Sequence, residues 1–123
     1  MVKSIFFCLL LFIFVEKGFG VEVNTYEEAI ALSKETNKEV FVYFGAEWCS
    51  YCKKMEDVFK DERVSRKLDN YICVKINVDK NKDLAKKYAV KGIPDYMVVD
   101  KEEKTLKRHF GYKSKEEFLE WLK

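Results

Sequence analysis

Proline occurs once in the 123 residues, at Pro94, and histidine once, at His109, with only five glycines. No Pro/Gly-rich linker, repeat or low-complexity segment divides the chain, so a single domain is predicted. A membrane-spanning run is also missing. The apolar stretch from Ile5 to Val15 has eleven residues, against the roughly 20 that a spanning helix requires. Neither sign of charge dominates: 23 Lys and Arg face 21 Asp and Glu, for a net charge of +2. That balance gives no electrostatic reason to expect nucleic acid or an acidic substrate, and reads as a solvated Lys/Glu surface.

What the first twenty residues do contain is an export pattern. Lys3 precedes the apolar run, and Gly18 and Gly20 follow it as small residues. This predicts a signal peptide over residues 1–20, cleaved after Gly20, with residues 21–123 as the folded domain. Glu16 and Lys17 are irregular for such a signal, so retention as an N-terminal anchor is the competing reading. Export leads to the periplasm or the outside of the cell, where cysteine redox chemistry runs. Cys8 would leave with the signal. The remaining three cysteines, Cys49, Cys52 and Cys73, are an odd number, which does not fit a purely structural disulfide framework.

Along the domain, Thr25 and Glu28 form a capping-box pattern opening a helix to about Asn37. Its inward face carries Tyr26, Ala29, Ile30 and Ser33. Val40 to Phe44 is a continuous β-branched and aromatic run, the pattern of a strand buried on both faces. A helix is predicted from Cys49 to about Lys60, facing inward through Met55, Val58 and Phe59. Asp61 caps a shorter helical piece with Val64 and Leu68 inside. Further strands are predicted over Tyr71–Val78, Tyr96–Val99 and Thr105–Phe110, with Leu106 and Phe110 inward and His109 outward. A helix lies between Asp79 and Tyr88, with Leu84, Ala85 and Tyr88 on one face. After Gly111, Ser114 and Glu117 repeat the capping box before a last helix that buries Phe118, Trp121 and Leu122. Strands separated by helices are expected to be parallel, and the final two antiparallel. The fold class is α/β, a mixed four-stranded sheet sandwiched by helices.

The chemistry concentrates at Cys49-Ser50-Tyr51-Cys52, where a buried strand gives way to a helix. Free N–H groups and the helix dipole at that end favour an anion. A thiolate at Cys49 is therefore stabilised, and a cysteine so placed drops from about 8.5 into the range of about 3.5–7.5. Cys52 lies one turn deeper, close enough to bond to Cys49. Cys49 then attacks a disulfide, and Cys52 resolves the mixed disulfide. A structural disulfide or half of a zinc site are the alternatives. Zinc takes about four ligands, and beyond the pair the sequence offers Cys73 and an outward-facing His109, so no metal is expected.

These residues carry a resemblance to the thioredoxin family over nearly all of residues 21–123. Val42-Tyr43-Phe44-Gly45-Ala46-Glu47-Trp48-Cys49-Ser50-Tyr51-Cys52-Lys53 resembles its active-site stretch. Val74-Lys75-Ile76-Asn77-Val78-Asp79 is similar to its next strand, and Tyr88-Ala89-Val90-Lys91-Gly92-Ile93-Pro94 to the segment that ends in its cis-proline. Gly111 with the Ser-capped helix matches the family's end. The resemblance implies a thioredoxin-like fold and a thiol–disulfide oxidoreductase with no cofactor beyond its own cysteines. It implies a cis bond at Pro94, tolerable only before proline, facing the cysteine pair, with the Ile93 backbone pairing an extended client segment. Trp48 and Tyr51 flank the pair, either as an apolar contact surface for clients or packed locally. The partners implied are proteins bearing disulfides or thiols. The first reading is a reductase regenerated by a membrane electron carrier. An oxidase or isomerase is the second, and a soft-metal chaperone using the same cysteines a rival. A monomer is expected.

Several positions depart from the family. Tyr43 stands where many thioredoxins bury an aspartate that serves the second cysteine, while the accompanying lysine, Lys75, is kept. Either Glu47, or water through the Tyr43 hydroxyl, substitutes in proton transfer, or Tyr43 only packs. Asp95 replaces a frequent threonine and either repels acidic clients or caps a turn. Cys73, in mid-strand, reads as a small buried core residue, with a regulatory thiol as the alternative. Mass spectrometry of the exported protein is expected to show a chain beginning at Val21; a retained Met1 would overturn cleavage.

Overall fold

The computed structural model describes residues 21–123, so the export signal read over residues 1–20 lies outside the described residues. The order is β1 (Val21–Val23), α1 (Tyr26–Thr36), β2 (Val40–Gly45), α2 (Ser50–Lys60), α3 (Glu62–Leu68), β3 (Ile72–Asn77), α4 (Lys82–Lys87), β4 (Asp95–Val99), β5 (Thr105–Phe110) and α5 (Lys115–Trp121). The helix starts follow their caps. Thr25 Oγ1 accepts the Glu28 amide at 3.1 Å, and Asp61 Oδ1 accepts those of Arg63 and Val64. At Ser114 both halves of the box with Glu117 are formed. α1 ends where Asn37 turns left-handed at φ 62°, a conformation asparagine tolerates better than most residues.

The sheet has five strands in the order β1-β3-β2-β4-β5, one more than expected. The extra strand, β1, is only three residues long and pairs with β3 alone, Val21 beside Ile72 and Val23 beside Val74. So short a segment carries no alternation to read. β2 runs parallel to β3 but antiparallel to β4, which corrects the expectation that strands separated by helices would all be parallel. α4 is six residues long, a rise of about 9 Å, whereas the six residues of β3 extend about 20 Å. The helix does not carry the chain back along the sheet, and β4 starts near the end where β3 finished. β4 and β5 are antiparallel as expected.

Every residue of β2 is buried, and its alternate side chains enter two separate cores. Phe41 and Tyr43 join Met55, Phe59, Val64, Leu68, Cys73, Tyr96, Val98 and Phe118 beneath α2, α3 and α5. Val40, Val42 and Phe44 join Ala29, Ile30, Ile72, Val74, Met97 and Val99 beneath α1. Phe118 is fully buried and meets the rings of Phe41, Phe59, Tyr96 and Trp121.

β5 corrects another expectation. Leu106 and Phe110 are exposed, 42% and 64%, while the His109 ring lies 5.5 Å from that of Tyr96. The register passes from Val98↔Lys107 to Val99↔Thr105, so Leu106 is the extra residue of a bulge, and the inside–outside alternation resets there. As the edge strand, β5 packs inward through Lys107 and His109. Lys107 Nζ also donates to the Trp121 carbonyl at 2.9 Å. Burial, with Lys113 nearby, lowers the His109 pKa.

Truncating Phe118 to alanine is expected to cost about 3–5 kcal/mol, the range for a large buried aromatic. Leu106→Ala should stay within about 0.5 kcal/mol, as for exposed positions generally. Denaturant unfolding of the two variants checks both.

Candidate active site

β2 ends at Gly45, and after the three residues Ala46, Glu47 and Trp48 the chain enters α2 with Cys49 as its N-cap. A cysteine here does what serine or aspartate does at other helix starts: its sulfur takes an otherwise unpaired backbone N–H. The Cys52 amide donates to Cys49 Sγ at 3.1 Å. The two cysteines are joined as a disulfide with Cα atoms 5.1 Å apart. Their accessibility differs: Cys49 keeps 6% of its surface exposed and Cys52 none. On the opposite side, the Ile93–Pro94 peptide bond is cis. The Ile93 carbonyl oxygen lies 3.8 Å from Cys49 Sγ, so the segment read as facing the pair does face it.

The flanking aromatics point out. Trp48 is 70% exposed, its indole N–H tied to Asp79 Oδ2 at 2.8 Å. Tyr51 is 57% exposed, with Lys54 Nζ 4.9 Å above its ring. Phe110, which the sequence reading had placed in the core, completes the rim. A Cβ added at Gly92 would lie 2.5 Å from the Phe110 ring, so the missing side chain at Gly92 lets that ring lie beside the Ile93–Pro94 segment. Locating Phe110 there required the β5 register, which no local pattern reveals.

Asp95 neither caps a turn nor offers a free negative charge. Its side chain is 5% exposed and forms a two-pronged pair with Arg108, Oδ1 to Nε at 3.1 Å and Oδ2 to Nη2 at 2.8 Å. With its charge matched, Asp95 braces β4 against β5 directly after Pro94, and the reading in which it repels acidic clients falls away. The pair also raises the Arg108 pKa.

Behind the cysteines, the buried Tyr43 hydroxyl donates to the Cys52 carbonyl at 3.2 Å. Tyr43 lines a small cleft with Gly45, Glu47, Glu56, Lys75 and Asn77. Lys75 is directly opposite Tyr43 in the β2–β3 ladder. Glu47 is on the exposed turn before Trp48. Glu56, absent from the sequence reading, sits 4.0 Å from Lys75. Its place four residues after Cys52, one helical turn, was the signal that could have found it. A larger cavity between α1 and α4, lined among others by Tyr26, Lys34, Lys87 and Glu103, contains neither cysteine. An exchange reaction with an extended chain happens on a surface, not in a deep pocket.

Such an arrangement, a helix-capping cysteine pair opposite a cis-proline on a mixed α/β sheet, defines a thioredoxin-fold protein with a redox-capable site. Comparison with known proteins agrees. The family model described as "Thioredoxin-like domain" matches residues 26–123, and the chain belongs to that family. It is 32% identical to a thioredoxin of Rickettsia bellii over 105 residues, covering 84% of this chain and 93% of that protein. It is 26% identical over 121 residues to "Protein disulfide isomerase-like 2-2" of rice, covering 90% of this chain but spanning only a third, 33%, of the rice protein. The solution structure of a thioredoxin from Thermus thermophilus superposes with a TM-score of 0.75 at 33% identity, over 85% of each chain.

Cys73 stands apart from the site. It is 1% exposed, its Sγ faces the Leu68 carbonyl at 3.7 Å, and burial, with the Glu22 and Asp69 charges, pushes its pKa up to about 12. The folded protein therefore keeps this proton between pH 9.0, where the unfolded thiol titrates, and about 12. The unfolded chain has lost the proton in that window, so stability falls as pH rises through it. Cys73→Ala is expected to flatten that part of the pH–stability curve measured by denaturant unfolding. In the native wild type at pH 8, Cys73 should resist alkylation until denaturant is added; rapid labelling would refute its core role.

Proposed function

We propose that this protein exchanges disulfides with protein clients, with Cys49 as the attacking thiol and Cys52 as the resolving one, and that it works as a reductase. The observation that carries this reading is the Cys52 amide aimed at Cys49 Sγ at the start of α2. The same N–H and the helix dipole stabilise a thiolate once the disulfide is reduced. The difference in exposure between the two sulfurs separates the roles. A client disulfide meets Cys49 first, and Cys52, held behind it, completes the exchange.

The half-buried Ile93 ahead of the cis bond would give an extended client chain a pairing edge, and Trp48, Tyr51 and Phe110 offer apolar contact around the sulfur. No cofactor beyond the pair is invoked. Similarity to bacterial thioredoxins over most of their length favours the reductase direction. If residues 1–20 export the chain as their sequence pattern predicts, electrons would come from a membrane carrier outside the cytoplasm, and the protein would act as a monomer.

The reduction potential of the Cys49–Cys52 pair, equilibrated against a dithiol buffer, tests the direction. A value near about −270 mV is expected, and one near about −120 mV would reverse the assignment to an oxidase. Cys52→Ser should accumulate mixed disulfides through Cys49, whereas Cys49→Ser should form none.

A further inference from the structure

When Cys52 resolves a mixed disulfide it must first lose its proton, and it is fully buried. The buried carboxylate usual for this role is absent, its place taken by Tyr43. A buried thiol without an acceptor holds its proton, so the surroundings of Tyr43 decide where that proton goes.

The Tyr43 ring folds back over Gly45: a Cβ at Gly45 would lie 2.8 Å from the Tyr43 hydroxyl oxygen. The hydroxyl is thus held between the Cys52 turn, whose carbonyl it reaches at 3.2 Å, and the cleft containing Glu56 and Lys75. Glu56 is half-buried, its side chain 38% exposed, with Lys75 Nζ at 4.0 Å. It lies on the same helix as Cys52, one turn on, so the two side chains share a face. The charged groups around Glu56 are Lys75 from β3, Glu22 from β1, Lys60 from its own helix and Glu47 from the turn before Trp48. Burial and then the Glu56 charge raise the Tyr43 pKa, so the phenol stays protonated at neutral pH and is electrostatically coupled to Glu56.

We propose that Glu56, rather than Glu47, receives the proton that Cys52 releases during resolution, acting at one remove through the cleft shared by Tyr43 and Lys75. In this step the Cys52 S–H bond breaks and its proton passes, by way of cleft water and the Tyr43 hydroxyl, to the Glu56 carboxylate. The Cys52 thiolate forms a bond to Cys49 Sγ. The bond from Cys49 to the client sulfur breaks, and the client leaves with the electron pair as a thiolate that solvent protonates. Glu56 returns its proton to solvent. The cysteine pair is oxidised by two electrons and the client disulfide reduced by two. Lys75 Nζ, 4.0 Å from the Glu56 carboxylate, stays beside it throughout. Glu56 touches neither sulfur and is a positioning residue for the proton.

The inference rests on the exchange reading, and its test separates the two. Reduced protein is mixed in a stopped-flow instrument with 5,5′-dithiobis(2-nitrobenzoate). One thiolate is released as Cys49 is captured and a second as Cys52 resolves, and the second phase is followed from pH 5 to 9. Glu56→Gln is expected to slow that phase about a hundred-fold near neutral pH, the lower end of the range for a lost proton acceptor, and to converge on wild type at high pH. Glu56→Asp should restore most of the rate, and Glu47→Gln should leave the profile unchanged. A charge that merely neighbours the thiol predicts the opposite sign: without it the thiolate forms more easily and the second phase quickens at low pH. That result, a Glu56→Gln profile superimposed on wild type, or a slowing confined to Glu47→Gln would each overturn the proposal. A wild type that releases no second thiolate overturns the exchange reading itself.

Discussion

Burial of β2 on both faces is the constraint from which the site follows. Its six residues are all enclosed, paired with β3 on one side and β4 on the other. A strand so held has one register and one exit point. The chain leaves it at Gly45 and, within a few residues, starts α2 with Cys49 as cap. Helix starts need an acceptor for their free amides, and here that acceptor is the Cys49 sulfur of the disulfide pair. In the proposed exchange the same hydrogen bond would serve both folding and reactivity. Antiparallel pairing of β4 with β2 then brings Pro94, just ahead of β4, to the end of the sheet where Cys49 emerges.

Charge is handled locally around this centre. Asp95, immediately after Pro94, would be costly to bury alone, and Arg108 matches it with two hydrogen bonds, the geometry in which a guanidinium binds a carboxylate most strongly. Leaving either partner unpaired is far worse than removing both, so the two positions are best regarded as one unit that joins β5 to the proline segment. Tyr43 takes a different route. A neutral phenol occupies the interior, and the ionisable pair, Glu56 and Lys75, stays at the half-exposed cleft. Among the described residues, the core around Tyr43 therefore holds no carboxylate of its own, and the charge lies at the cleft.

Much of the fold was legible in particular residues. The caps at Thr25, Asp61 and Ser114, the unbroken apolar run of β2, and the inward faces of α1, α2 and α3 all behave as their local patterns require, because capping and 3.6-residue periodicity are local physics. What was not legible depended on partners distant in sequence. β1 is too short to carry a pattern and exists because β3 presents an edge for it. On β5 the apolar Leu106 and Phe110 turn outward while Lys107 and His109 sit opposite Val98 and Tyr96, an assignment set by pairing with β4 and not by apolar character. Asp95 is neither the turn cap nor the free charge that its sequence offers, because nothing nearby in the chain announces Arg108 thirteen residues on.

By itself, the sequence determined the cysteine pair and its place at a helix start, short-range patterns with a local physical cause, while the family and the proline facing the pair followed from the resemblance of its motifs. Tertiary structure alone decided which groups meet. It set Glu56 beside Lys75, turned Phe110 out to the rim, and closed Asp95 onto Arg108. These are matters of strand register and helix rotation, where a shift of one residue exchanges the two faces of an element. No stretch of chain holds that information until the sheet has assembled.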